Sequence, residues 1–260
     1  MITLQTFPNV ASYYLQLDNA TSLDDGLRVI GEMKKHGFCL NVVSYTNLLN
    51  KARSLSEGQA ILAEMIKDGV KPNGATFVTL INKASNRVEC QKVIDFMLEA
   101  HLKPGANIYN TMLNHTIYLF EGHEILADMR MHKVMPNVAT YTKLLAKTQA
   151  FEEGLTILAE MREMNVKPNV VTHTTLLNKA RNWNQCVTLI DEMRVADITP
   201  NSYTYVALLK LVEEEAHIEL ILADMQIDGV PISHFHLNAV NKKFRSVINS
   251  QFLEHKHHVN

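Results

Sequence analysis

The sequence predicts an all-α fold: an α-solenoid of about seven tandem helix-turn-helix repeats followed by a C-terminal capping helix. Three observations carry that expectation. The chain rewrites itself, "NVVSYTNLLNKA" at 41–52 returning as "NVVTHTTLLNKA" at 169–180, four periods of 32 residues later. Methionine closes each period, at Met33, Met65, Met97, Met129, Met161, Met193 and Met225, which is seven of the chain's 12. Within a period, apolar residues return at alternating three- and four-residue steps, the stripe of an amphipathic helix. Self-similarity at a period of about 20–50 residues marks a solenoid-type array.

In chain order, residues 1–9 ("TLQTFPN" at 3–9) read as a stub or the end of a preceding repeat. Seven units follow: 10–41, 42–73, 74–105, 106–137, 138–169, 170–201 and 202–232. In the sixth, His173, Leu176, Leu177 and Ala180 form the stripe of a first helix, and Val187, Leu189, Ile190 and Met193 that of a second. Each helix spans about ten residues, too short to persist alone in water, so stacking on neighbours supplies the buried area. Pro200 ends the pair, because it cannot continue a helix and pushes Thr199 out of helical angles. A ring returns at the fourth residue of each unit: Tyr13, Tyr45, Phe77, Tyr109, Tyr141, His173, Tyr205. Gly26, Gly58, Cys90, Gly122, Gly154 and Cys186 share one column early in the second helix, where a small residue lets backbones approach. Beyond Pro231 the frame weakens. "LNAVNKKFRSVI" at 237–248 resembles a first helix shifted by one residue, so 233–249 read as the capping helix and 250–260 as a tail.

Composition excludes several classes. Of 260 residues 47% are apolar, enough for a sizeable core. No apolar run approaches the roughly 20 residues of a membrane span. The first 20 residues lack a basic start before an apolar block. Three scattered cysteines form neither a disulfide framework nor a paired zinc site. The expected location is the cytoplasm, or an organellar matrix after processing, and not the secretory route. Twelve histidines come without the cysteine pairs of a zinc deaminase site, and His173 reads as packing. No phosphate-binding glycine loop, nucleophile elbow or paired-carboxylate site stands out. The expectation is therefore no metal, no cofactor, no small-molecule substrate and no enzyme activity.

Placing the charges is more informative than their net of −2. The first twelve residues of the seven units hold eight lysines and arginines against two acids, a net of +6, which leaves −8 for the remainder. A basic first-helix layer attracts a phosphate backbone. Its candidate phosphate-contacting residues are Lys51, Arg53, Lys83, Lys147, Lys179, Arg181 and Lys210. Counting from the residue after each Asn, positions 2, 5, 9 and 12 share a second helix face. Asn50, Asn82, Asn114 and Asn178 recur at position 9, although Asn is a mediocre helix former. Such a polar strip suits reading flat, hydrogen-bonding ligands one unit at a time.

The strings "PNVATYTKLLA" (136–146), "PNVVTHTTLLNKA" (168–180) and "ILAEM" (61–65 and 157–161) resemble pentatricopeptide repeat proteins, over roughly 9–232. The usual unit of that family has 35 residues, and this one has 32. The resemblance implies a right-handed superhelix that binds single-stranded RNA, one nucleotide per unit. The fifth and last residues of a unit together choose the base, and position 2 sandwiches it. Carried over, Thr46 with Asn73, Thr142 with Asn169, and Thr174 with Asn201 resemble adenine-reading pairs. Asn110 with Asn137 resembles a pyrimidine-reading pair. Val43, Ala75, Asn107, Ala139, Val171 and Tyr203 are the implied sandwiching residues. Units one, three and seven lack the usual fifth residue, so the implied target is roughly N-A-N-Y-A-A-N. The Asn residues also sit where a helix N-cap belongs. A helical scaffold that takes a peptide or protein in the same groove is the alternative.

Overall fold

A computed structural model of the chain describes residues 9–240. Every regular element among them is helical. Helices α1 (Val10–Asn19) and α2 (Leu23–Lys35) form the first pair, α3 (Val42–Lys51) and α4 (Leu55–Lys67) the second, and α5 (Gly74–Ile81) and α6 (Arg87–Glu99) the third. α7 (Ala106–Met112), extended by a 3-10 turn at Leu113–His115, precedes α8 (Leu119–Met131). α9 (Val138–Lys147) and α10 (Phe151–Glu163), α11 (Val170–Leu177) and α12 (Trp183–Val195), and α13 (Ser202–Leu209) and α14 (Glu215–Ile227) follow, and α15 (His234–Ala239) is last. The protein is an all-α solenoid. It divides into two compact bodies, residues 1–135 and 136–260. Within the first body the first helices stack α1 on α3, α3 on α5 and α5 on α7; within the second they stack α9 on α11, α11 on α13 and α13 on α15.

First helices are short, 7 to 10 residues, whereas every second helix runs 13, longer than the ten read from the sequence. Caps explain both ends. Asn41, Asn73, Asn137, Asn169 and Asn201 each accept the backbone N–H of the third helical residue through Oδ1, and the Ser or Thr there accepts the Asn N–H in return. This is a capping box with an amide at its head. The frame continues unbroken to Ser233, the N-cap of α15, whose N–H donates to His236 Nδ1. So the helix expected one residue out of frame is in frame, and the seventh unit extends to Ser233, one residue past 232. Of the remaining expectations, residues 1–8 of the stub, 241–249 of the capping helix and the tail 250–260 lie outside the described residues.

Second helices end in a left-handed residue every 32 positions: Gly37, Gly69, His101, Lys133, Asn165, Asp197 and Gly229. The next N–H then reaches back to the methionine carbonyl, as Val134 to Met129 at 2.8 Å, closing the turn. Four side chains adopt φ of 57–58° where glycine is unstrained. His101→Gly and Lys133→Gly are each expected to raise unfolding free energy by about 0.5–1 kcal/mol, measured by urea titration.

The core repeats with the sequence. Tyr13, Tyr45, Phe77, Tyr109, Tyr141, His173 and Tyr205 are at most 1% exposed. For four of the tyrosines the hydroxyl's partner stands 23 residues on. Tyr13 lies 2.9 Å from His36 Nδ1, Tyr109 lies 2.8 Å from His132 Nδ1, and Tyr45 and Tyr205 donate to Asp68 and Asp228. Lys34 bonds the Asp68 carboxylate at 2.6 Å, which with the Tyr45 hydroxyl holds that carboxyl below the usual range. The glycine column works as expected. A Cβ on Gly26, Gly58 or Gly154 would come within 2.7, 2.7 and 2.2 Å of Leu48, Leu80 and Leu176, the seventh residue of the next first helix. Cys90 and Cys186 in that column are fully buried, and burial pushes their thiols up to about 12 and about 11.

His173 departs from the ring pattern in a titratable way. Its Nδ1 lies 3.1 Å from the Asn169 carbonyl, while Nε2 is buried without a hydrogen-bond partner. Burial lowers its pKa, and the same cause lowers that of His236. A depressed histidine contributes stability that is present above its unfolded pKa, about 6.5, and is lost as pH falls below it. The melting temperature is therefore expected to drop between pH 7.5 and 5.5, and His173→Phe, the ring Phe77 already uses, is expected to shrink that drop.

Candidate nucleic-acid interface

The residues expected to sandwich bases behave alike: Val43, Ala75, Asn107, Ala139, Val171 and Tyr203 are all exposed, at the second residue of α3, α5, α7, α9, α11 and α13. Position 9 is exposed too, at Asn50, Asn82, Asn114 and Asn178. Between them the fifth-position side chains are set back. Thr46 and Thr142 are half-buried, and Asn110 and Thr174 are only 9% exposed. Thr46, Thr142 and Thr174 lie in the creases between neighbouring first helices of their own body, not out on an open wall. Thr174 Oγ1 lies 2.8 Å from Thr204 Oγ1 of the next unit, and Thr142 Oγ1 lies 3.3 Å from Thr172 Oγ1. Thr46 instead donates to the Val42 carbonyl of its own helix.

The last residue of each pair is fixed by its capping role. Asn73, Asn169 and Asn201 stand at the mouths of these creases with Oδ1 turned to the backbone, and Asn137 Oδ1 is turned to its own helix in the same way. Backbone N–H groups are donors only, so the atom facing them must be oxygen. Among the described residues the Nδ2 groups of Asn73, Asn169 and Asn201 have no hydrogen-bond partner.

Of the basic residues, three are placed differently from the expectation. Lys51, Lys83 and Lys179 donate to the Asp18, Asn50 and Ala146 carbonyls at 2.9, 2.8 and 3.2 Å, and Lys179 also reaches the Thr148 carbonyl. Each ammonium thus caps the C-terminal end of the preceding first helix, where cations are favoured. Spacing alone did not reveal this, because the carbonyl acceptors belong to the neighbouring unit. These three lysines staple the repeats, and Lys147, at the same position, is engaged as well. Arg53, Arg181 and Lys210 are the exposed cations of the set.

In the second body the crease between α11 and α13 opens into a groove. A groove of about 420 Å³ is lined by Val171, Thr174, Asn201, Tyr203, Lys210 and Phe235 among others. Tyr203 and Phe235 are 67% and 50% exposed and meet edge to face at 5.6 Å. Phe235 was missed in the sequence, although it lies 32 residues after Tyr203. Among the described residues no cluster of three metal-ligating side chains occurs, and no helix is long and apolar enough to cross a membrane.

An all-α array of 32-residue helix pairs defines a helical-repeat protein. Two family models match it: "Pentacotripeptide-repeat region of PRORP" over residues 106–217, and "Pentatricopeptide repeat domain" over 28–87 and 60–117. Together they span most of the chain, and the protein belongs to the pentatricopeptide repeat family. Among solved structures it is similar to the pentatricopeptide repeat protein PPR10 from maize, at 23% identity and a TM-score of 0.65 over 96% of this chain and 39% of that one. PPR10 in complex with an 18-nt psaJ RNA element matches at 21% identity and a TM-score of 0.55, over 91% and 41%. The chain spans about two fifths of the length of these solved relatives. No curated protein matches its sequence.

Proposed function

We propose that the chain binds single-stranded RNA in a sequence-dependent way along the creases between its first helices, one nucleotide per repeat. It acts by occupying RNA, through shielding it from nucleases, remodelling its structure or exposing a translation start, and it performs no chemistry itself. The groove between Val171, Tyr203 and Phe235 carries this reading. Its walls match what a stacked base needs, its floor offers the polar pair Thr174 and Asn201, and Lys210 stands at its edge. Unpaired bases expose their hydrogen-bonding edges, which repeat proteins read with two or three side chains per base. PPR10, a solved relative, is described in complex with RNA, which supports the same ligand class here. In this reading Thr46 with Asn73, Thr142 with Asn169, and Thr174 with Asn201 meet adenines. Val43, Ala75, Asn107, Ala139, Val171 and Tyr203 pack on base faces, and Arg53, Arg181 and Lys210 meet phosphates.

The test is fluorescence anisotropy with 8-mers that are A-containing in the expected register, pyrimidine-only or scrambled, plus the duplex form, at two salt concentrations. The A-containing single strand should bind tightest. Three phosphate contacts predict an affinity loss of roughly twentyfold between 50 and 200 mM salt. Equal binding of scrambled and duplex RNA, or none at all, overturns the proposal and favours a peptide-binding groove.

A further inference from the structure

The proposed base-reading pairs are wired together by a third side chain. Thr204, fully buried, donates its hydroxyl to Asn201 Oδ1 at 3.2 Å and accepts the Asn201 backbone N–H at 3.2 Å. A threonine hydroxyl carries one proton. With that proton on Asn201, the 2.8 Å contact between Thr174 and Thr204 requires Thr174 to be the donor. Thr174 Oγ1 is then left with lone pairs only. At the other end, Asn201 Oδ1 already accepts the Tyr203 and Thr204 N–H groups at 3.0 and 3.1 Å, so Nδ2 is the outward atom. The pair therefore shows an acceptor and a donor in fixed order.

The fifth unit repeats the arrangement. Thr172, also fully buried, donates to Asn169 Oδ1 at 3.1 Å, accepts the Asn169 N–H at 3.3 Å and takes the Thr142 proton at 3.3 Å. The second unit has the same Thr and Asn but a different connection. Thr76 donates to Asn73 Oδ1 at 3.2 Å, whereas the Thr46 proton goes to the Val42 carbonyl.

We infer that Thr172 and Thr204 are positioning residues for base selection, fixing the hydrogen order of the fifth- and last-residue pairs they join. This rests on the RNA reading above. An acceptor beside a donor matches the exocyclic amino group and adjacent bare ring nitrogen of adenine or cytosine. Guanine and uracil present the opposite order, a carbonyl beside a ring N–H. Units five and six are thus set against keto bases.

The test uses the full chain and 8-mers that differ only in the base facing unit six. Adenine should be preferred over guanine and uracil by about tenfold, the discrimination expected of one well-made bidentate contact. Thr204→Ser keeps the hydroxyl and should keep that ratio. Thr204→Val leaves the backbone N–H bonds to Asn201 in place and should bring the ratio to within about twofold. Affinity changes caused by substitutions facing other units should stay at wild-type values, which a merely structural loss would not allow. If Thr204→Val melts early, Thr172→Val with the base varied opposite unit five decides the matter. A wild-type ratio in both valine variants overturns the inference. Failure of the wild-type chain to bind any of the oligonucleotides overturns the RNA reading instead.

Discussion

Replacing Met161 with alanine lowers the unfolding free energy by about 2–5 kcal/mol, read from the midpoint of urea unfolding. Met161 is fully buried on α10, as are Met33, Met65, Met129 and Met193 in the same column, with Met97 and Met225 at 2% and 1% exposed. The cost has two sources: apolar surface is no longer withdrawn from water, and the vacated volume keeps its shape because neighbours are held on both sides. Ile157, Leu158 and Phe151 of the same helix are buried against the α9 and α11 layer and have little room to collapse inward. The chain carries its own control. Met131 and Met135 are 69% and 66% exposed, and their alanine variants should stay within about 0.5 kcal/mol of wild type. In a repeat array each unit is held by its neighbours, so one weakened interface acts on both adjoining pairs. An unchanged midpoint for Met161→Ala would mean that the methionine column is decorative and that the array is held elsewhere.

If the proposed RNA reading holds, Asn169→Asp is expected to shift the base preferred opposite the fifth unit from adenine toward guanine, a change in discrimination of about 1–3 kcal/mol, read as the ratio of dissociation constants for two oligonucleotides. The substitution separates two roles that alanine would merge. Aspartate is as good an N-cap as asparagine, so the Thr172 N–H bond at 3.0 Å keeps its acceptor and the helix its start. What changes is the outward atom: a donor amide becomes an acceptor oxygen. Adenine offers a bare ring nitrogen there, which an oxygen repels; guanine offers ring and exocyclic N–H groups, which it accepts. Asn169→Ala removes the cap as well, at about 1 kcal/mol, and so reports on both roles at once. Unchanged selectivity in the aspartate variant, with melting intact, would show that Asn169 is a cap and nothing more.

Much of this architecture was legible in the sequence because a solenoid writes its period into every column. The methionines, the rings and the small residues before them each recur for one packing reason, and all three columns are buried as expected. What could not be read was whatever depends on the neighbouring unit. Lys51, Lys83 and Lys179 looked like free cations, yet their acceptors are backbone carbonyls 33 residues back, which carry no side-chain signature. The depth of Thr174 in the crease was hidden for the same reason, since helix periodicity gives an angle around the axis but not the height of the next helix. Phe235 is masked in the sequence because "LNAVNKKFRSVI" matches a first helix one residue out of register, whereas the N-cap Ser233 keeps the frame. The hydroxyl bridges through Thr172 and Thr204 were invisible as well: the sequence shows four threonines, Thr142, Thr172, Thr174 and Thr204, and only distances show which of them meet.

The central claim, that successive creases read successive bases, is tested most directly by selecting binders from a randomised single-stranded RNA pool and sequencing the enriched population. The creases predict enrichment of neighbouring adenines opposite units five and six and of a further adenine opposite unit two. Enrichment of an unrelated motif, of a structured hairpin, or of no sequence at all would contradict it.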